Sequence, residues 1–175
     1  MLCKTQPPTQ ELIDWMRENI VGNAIEIGAG IGTIARALGI PITDSRMQER
    51  PEIKMYYLMG GQPVIQYPSD VEKLDAEQAI NKYKPDTVIG CFITHKFDYS
   101  TNSGNAFGVQ EEFIIKNVRR YINVGNLETH RLKPTRSVDQ SKNRIWVHEK
   151  IKNKKIYENT KNMAYYSLLR RRIAY

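Results

Sequence analysis

The chain is poor in the residues that mark disulfide scaffolds and metal sites. Only two cysteines occur in 175 residues, Cys3 and Cys91. One stands near the start and the other inside an apolar run, so neither a disulfide framework nor a zinc spacing is present. Long hydrophobic runs are also missing. Nothing approaches the ~20 apolar residues of a membrane helix, and Met1 to Pro8 lacks the apolar stretch of a secretory signal. No membrane partner and a cytoplasmic location are therefore expected. There is no internal repeat and no low-complexity block, which excludes solenoids and fibrous arrays.

What remains is the composition of an ordinary water-soluble domain: 41% hydrophobic and 26% charged residues, close to globular averages. The length suits one domain with a real core. The charge is biased: 26 Lys plus Arg face 19 Asp plus Glu, a formal net charge of +7. That excess is compatible with a nucleic-acid or other polyanionic partner. Much of it lies late, in Lys150, Lys152, Lys154, Lys155 and Arg170 to Arg172, where it reads equally as a solvated tail. The pattern divides the chain into a domain over 1–150 and a basic, helical tail over 151–175. The small size and the Asn- and Lys-rich wording suggest a phage or mobile-element gene.

Periodicity predicts alternating helices and strands. Thr9 can cap a helix carrying Leu12, Ile13, Trp15, Met16 and Ile20 on one face. Ala24 to Ile27 reads as a short buried strand that runs into glycines. A second helix follows with Ile31, Ile34, Ala35 and Leu38 at i, i+3, i+4 and i+7, and Gly39 suits the left-handed position beyond its end. Ile40 to Thr43 is the next strand, with Asp44 at its exit. Pro51 can open a helix through Met59, and Pro63 to Tyr67 reads as a third strand. Asp75 caps a helix ended by Lys84-Pro85. Thr87 to Thr94 is the strongest central strand, and a long polar loop follows from Lys96 to Gly108. Val109 to Arg119 reads as a helix, with strands at Tyr121 to Val124 and Asn143 to Glu149. Strands separated by helices imply an α/β fold with a mostly parallel sheet and helices on both faces.

In such folds ligands bind beyond the carboxyl ends of the strands. The loop Glu26-Ile27-Gly28-Ala29-Gly30-Ile31-Gly32 lies at such an end. Its glycines allow a sharp strand-to-helix turn and close approach of backbone to a ligand at the helix N-terminus. A dinucleotide fingerprint would need glycine where Thr33 stands, so NAD fits poorly. The bland alternative is a turn that serves only tight helix-strand packing.

The pattern acidic-x-Gly-x-Gly-x-Gly, formed by Glu26, Gly28, Gly30 and Gly32, resembles the first motif of class I S-adenosylmethionine-dependent methyltransferases. The resemblance spans Ala24 to about Val147. It implies a Rossmann-like, doubly wound sheet and an S-adenosylmethionine site that includes Ala29. It also implies that Asp44 receives the ribose hydroxyls, unless Asp44 is a local cap. Ser69-Asp70-Val71 resembles the third motif, in which Asp70 accepts from the adenine amine and Val71 covers the ring; Asp75 is better placed as a helix cap. A base for the acceptor is expected after the fourth strand. His95 is the candidate, with Asp98 and His130 weaker. At that strand Ile89-Gly90-Cys91-Phe92 departs from the motif of amino methyltransferases, and Cys91 lacks the proline that precedes the cytosine-C5 nucleophile. The reading is a methyltransferase with an unassigned acceptor; the alternative is an inactive cofactor-binding sensor or nucleic-acid accessory on the same scaffold.

Overall fold

A computed structural model describes residues 8–93, 109–126, 143–151 and 154–158, with side chains for 8–93 and 109–125. Helix α1 (Gln10–Asn19) begins where Thr9 accepts a hydrogen bond from the Leu12 N–H at 3.3 Å. It turns Met16 and Ile13 into the interior. Strand β1 (Ala24–Ile27) is buried along its whole length. Helix α2 (Thr33–Leu38) ends at Gly39, whose φ of 71° and N–H bonds to Ala35 and Arg36 carbonyls make a left-handed cap. Strand β2 (Thr43–Asp44) leads through a 3-10 turn (Met47–Glu49) to α3 (Pro51–Met59).

The expected third strand at Pro63 to Tyr67 does not form. Pro63 and Pro68 bracket it, and the Ile65 N–H donates to the buried Gln48 side chain at 2.8 Å rather than to a neighbouring strand. Strand β3 is instead Glu72–Lys73, beside the fully buried Val71. Helix α4 (Ala76–Tyr83) opens with a reciprocal capping box between Asp75 and Gln78. Strand β4 (Thr87–Cys91) is buried at every residue. It stops earlier than the apolar run suggests, because Phe92 takes a φ of 50°. Helix α5 (Glu111–Asn117) and strand β5 (Arg120–Asn126) follow.

Strands β6 (Asn143–Ile151) and β7 (Lys154–Glu158) complete the described residues. β6 runs past the expected boundary at residue 150, and the first described part of the tail is strand rather than helix. Its Lys-Lys-Ile-Tyr-Glu sequence alternates well enough to pair, and only two residues separate it from β6.

Five strands form one sheet in the order β1-β4-β5-β6-β7, parallel as far as β5 and antiparallel after it. β2 and β3 form a second parallel pair. That pair meets β1 through a bridge between Glu26 and Ile42 and through the Ala29 N–H, which donates to the Thr43 carbonyl at 3.1 Å. The fold is thus mixed α/β and mostly parallel. Two apolar clusters sandwich the sheet, because successive side chains of a strand face opposite ways. Ile25, Ile27, Val88 and Tyr121 pack with Ala79 and Ile80 of α4 and Ile114 of α5. Ile89, Cys91, Ile122 and Val124 pack with Met16 of α1, with Ile34 and Leu38 of α2 beside them. No helix among the described residues is long and apolar enough to cross a membrane.

Candidate functional site

The site is built where β1 and β2 end side by side. Gly28, Gly30 and Gly32 all have positive φ, at 56°, 60° and 75°. An L-residue resists this left-handed region, so the alternation of glycines has a backbone cause. Gly32 is also sterically confined: a Cβ there would lie 2.7 Å from Cγ2 of Ile42 on the neighbouring strand.

Two buried carboxylates hold this loop. Glu26 is 2% exposed, and its Oε2 accepts from the Ala35 N–H at 2.9 Å. Ala35 is the third residue of α2, and the N-cap residue Gly32 has no side chain to satisfy the first turn. Glu26 therefore does from the preceding strand what an Asp or Ser at the cap would do locally. Asp44 is 5% exposed; its Oδ2 accepts from the Gly30 N–H at 2.8 Å and its Oδ1 from the Arg46 N–H at 2.7 Å. The second bond is the local turn that the sequence left as an alternative, whereas the first ties the residue to the glycine loop. Thr43, between them in the wall, donates its hydroxyl to the Glu26 carbonyl at 2.8 Å.

Asp70 reaches the same region by another route. Arg36 of α2 donates from Nε to Asp70 Oδ2 at 2.7 Å and from Nη2 to Oδ1 at 2.6 Å. The same guanidinium donates to the Ile31 carbonyl of the glycine loop. This fork holds the Asp70 carboxyl below the usual carboxylate range and raises Arg36. Asp70 is exposed, while Val71 is wholly interior. Its carbonyl accepts from Arg46 Nη2, so Arg46 links the exit of β2 to the approach of β3.

The structure thus brings Glu26, Gly28, Ala29, Gly30, Gly32 and Asp44 into one neighbourhood, with Asp70 joined to it through Arg36. His95 lies outside the described residues. So do Asp98, His130, Tyr99, Asn102, Asn105, Phe107, Tyr165, Tyr166 and Arg170 to Arg172. Cys91 is buried against the α1 face, the setting of an inert packing thiol.

Three residues escaped the sequence reading. Tyr67 lies half-buried near Asp44; burial first, and then the Asp44 charge, push its phenol up, so it stays protonated. The Arg46 guanidinium lies over its ring at 5.7 Å from the centroid. Assigning Pro63 to Tyr67 to a strand concealed it. Arg36 was concealed because a mid-helix arginine looks like a solvated one. Phe92 carries a positive φ and is 37% exposed, just past β4. A non-glycine residue in that region marks local constraint, and nothing in the Cys91-Phe92 dipeptide announces it.

Among the described residues no group of three or more His, Cys, Asp or Glu is placed to hold a metal ion. No family model matches the chain, and no curated protein matches it either.

Proposed function

We propose that the chain is an S-adenosylmethionine-dependent methyltransferase whose cofactor lies on the glycine loop between Gly28 and Gly32, against Asp44. The single observation that carries this reading is the buried Asp44 carboxylate at the end of β2, hydrogen-bonded to Gly30 of the loop after β1. An acid sequestered beside a glycine turn at the carboxyl ends of parallel strands suits a nucleoside better than it suits packing alone.

The surrounding topology supports it. If the isolated Glu26–Ile42 bridge is taken to join the two sheets, β3 and β2 stand on one side of β1 and β4 and β5 on the other. We read this arrangement as a Rossmann-like, doubly wound sheet whose direction of winding would reverse between β1 and β4. The glycine loop leaves β1 at that reversal.

The residues fit the cofactor. A carboxylate offers about four acceptor directions. The two backbone N–H groups on Asp44 leave acceptor directions for ribose hydroxyls, which would reach this 5%-exposed carboxylate only as its surroundings open. Asp70, though engaged by Arg36, is exposed and retains lone pairs for an exocyclic amine. Val71 is interior, so its part would be to support the wall rather than to cover a ring. Tyr67 offers an aromatic face near Asp44. When bound, S-adenosylmethionine supplies an electrophilic methyl on a sulfonium, and the protein's share is mainly to hold an acceptor in line with it. His95 is the proposed base for an acceptor that must lose a proton. The acceptor itself is unassigned, and the net charge of +7 admits nucleic acid among the candidates.

A second reading keeps the cofactor site without the transfer: a sensor or accessory protein. It is favoured by the exit of β4, where Gly90 and the buried Cys91 stand in place of an amine-gripping motif.

Calorimetric titration with S-adenosylmethionine and S-adenosylhomocysteine tests the site. Wild type should bind both, and Gly30→Val should abolish binding. Absence of heat from the wild type at millimolar ligand would end both readings. Methyl label followed into RNA, DNA, protein and small-molecule pools then separates the enzyme from the sensor.

A further inference from the structure

Helix α3 carries apolar side chains where no other part of the described fold meets them. Advancing about 100° per residue, Leu58, Met55, Met59 and Tyr56 fall in that order on an arc of roughly 160° of the helix surface, with Glu52 entering the same arc one turn toward the N-terminus. They are 54%, 57%, 82% and 56% exposed. On the opposite side Ile53, buried at 4%, anchors the helix to the body. Glu52 and Lys54 are the only charged residues of α3, and a helix with so much apolar surface on its solvent side has the pattern of a covered one. Here the core takes only one edge of it.

The size and the rim of this face indicate its partner. Four side chains of these types and exposures present on the order of 500 Å² per copy, the upper range of what a monomer leaves uncovered. Two such faces together bury about 1,000 Å², the lower bound of a specific interface. Around it stand Glu52, Lys54 and Arg50, one acid and two bases, all exposed, with Glu52 paired to Arg50. A rim with so small a charge excess gives little attraction to a polyanion and little repulsion from a copy of itself. Methionine side chains adapt to a facing surface without fixed geometry. An isologous contact needs one patch to meet itself about a two-fold axis.

We infer that α3 is the contact face of a two-fold dimer, in which Met55, Tyr56, Leu58 and Met59 pack against the same residues of a second copy of this chain. The inference stands apart from the ligand reading and survives its failure.

Sedimentation velocity on the full chain over roughly 1–200 μM tests it, a range suited to an interface at the small end of the size classes. Wild type should pass from monomer to dimer within that range. Met55→Glu/Met59→Glu should remain monomeric at every concentration, with far-UV circular dichroism unchanged and a thermal midpoint equal to that of wild type only where wild type is monomeric. Met59→Gln, milder still, should weaken association at least tenfold and serves if the double substitution disturbs the helix. A mixture of Met59→Glu and Met59→Lys chains should form the mixed dimer in preference to either pure one. A wild type that stays monomeric throughout overturns the proposal. So does a folded double variant that associates as the wild type does.

Discussion

The Asp44 carboxylate accepts the Gly30 N–H at 2.8 Å across the gap between β2 and the loop after β1. It thereby ties β2 to the loop after β1, beside the Thr43 hydroxyl on the Glu26 carbonyl and the Ala29 N–H on the Thr43 carbonyl. Because Asp44 also accepts from the Arg46 N–H and is nearly inaccessible to water, it is structural before it is functional. Replacement by asparagine must turn an NH₂ group toward one of those two N–H donors. A buried donor left without an acceptor costs about 1–3 kcal/mol. Asp44→Asn should therefore lower stability by that amount in urea unfolding. Asp44→Ala, which removes both acceptors, should cost more. An alanine variant as stable as wild type would mean that water or another group replaces the carboxylate. Binding losses at this position must be measured on protein shown to be folded at the assay temperature.

The parts of the fold that rest on local chemistry were legible in the sequence. Thr9, Asp75 and Gly39 occupy the caps assigned to them, since capping is decided within four residues. The glycine loop was legible for the same reason. What escaped depends on partners distant in sequence. Val64 and Ile65 have the composition of a strand, yet the Ile65 N–H is taken by Gln48, seventeen residues earlier. β3 carries almost no apolar signal, because Glu72 and Lys73 pair only at the sheet's edge with Thr43 and Asp44. The sequence singles out Asp70 as an acid beyond a strand at Pro63 to Tyr67, whereas it stands two residues before β3, the actual third strand. Its bond to Arg36, thirty-four residues away, is not legible there.

The β3 edge also gives the protein an acid sensitivity with a definite sign. Glu72 is held below its ordinary range, first by the hydrogen bond from Lys82 and then by that from Tyr83, whose hydroxyl donates at 2.6 Å. A carboxyl whose pKa is lower in the folded state adds stability that is present above the unfolded value near 4.5. That stability is lost as pH falls through the lower folded value. Asp70 and Glu49 shift in the same direction, led by Arg36 and Lys73 respectively. The thermal midpoint should accordingly decline as pH is lowered below about 5. Glu72→Gln should flatten part of that decline while costing a little stability at neutral pH, a modest effect because the pair is largely solvated. Identical acid limbs for the variant and the wild type would show that the Lys82 and Tyr83 contacts carry no net weight in solution.

The packing of Gly32 against Ile42 distinguishes a glycine required by its backbone from one required by its neighbour, and a double-mutant cycle can separate the two. Gly32 has a φ of 75°, and a Cβ would stand 2.7 Å from Ile42 Cγ2 and 3.2 Å from its Cδ1. The left-handed conformation alone costs an L-residue about 1–2 kcal/mol. The overlap adds an overpacking term of roughly 1–3 kcal/mol. Gly32→Ala should thus destabilise by more than backbone strain accounts for. Ile42→Ala removes the methyl groups that the new Cβ would strike and costs its own share of lost packing. In the double variant the overlap is absent, so the total loss should fall short of the sum of the single losses by about 1 kcal/mol or more. Additivity to within about 0.5 kcal/mol would place the whole requirement for glycine in the backbone angle. In that case a D-alanine at 32, whose favoured φ is positive, should be tolerated with Ile42 intact.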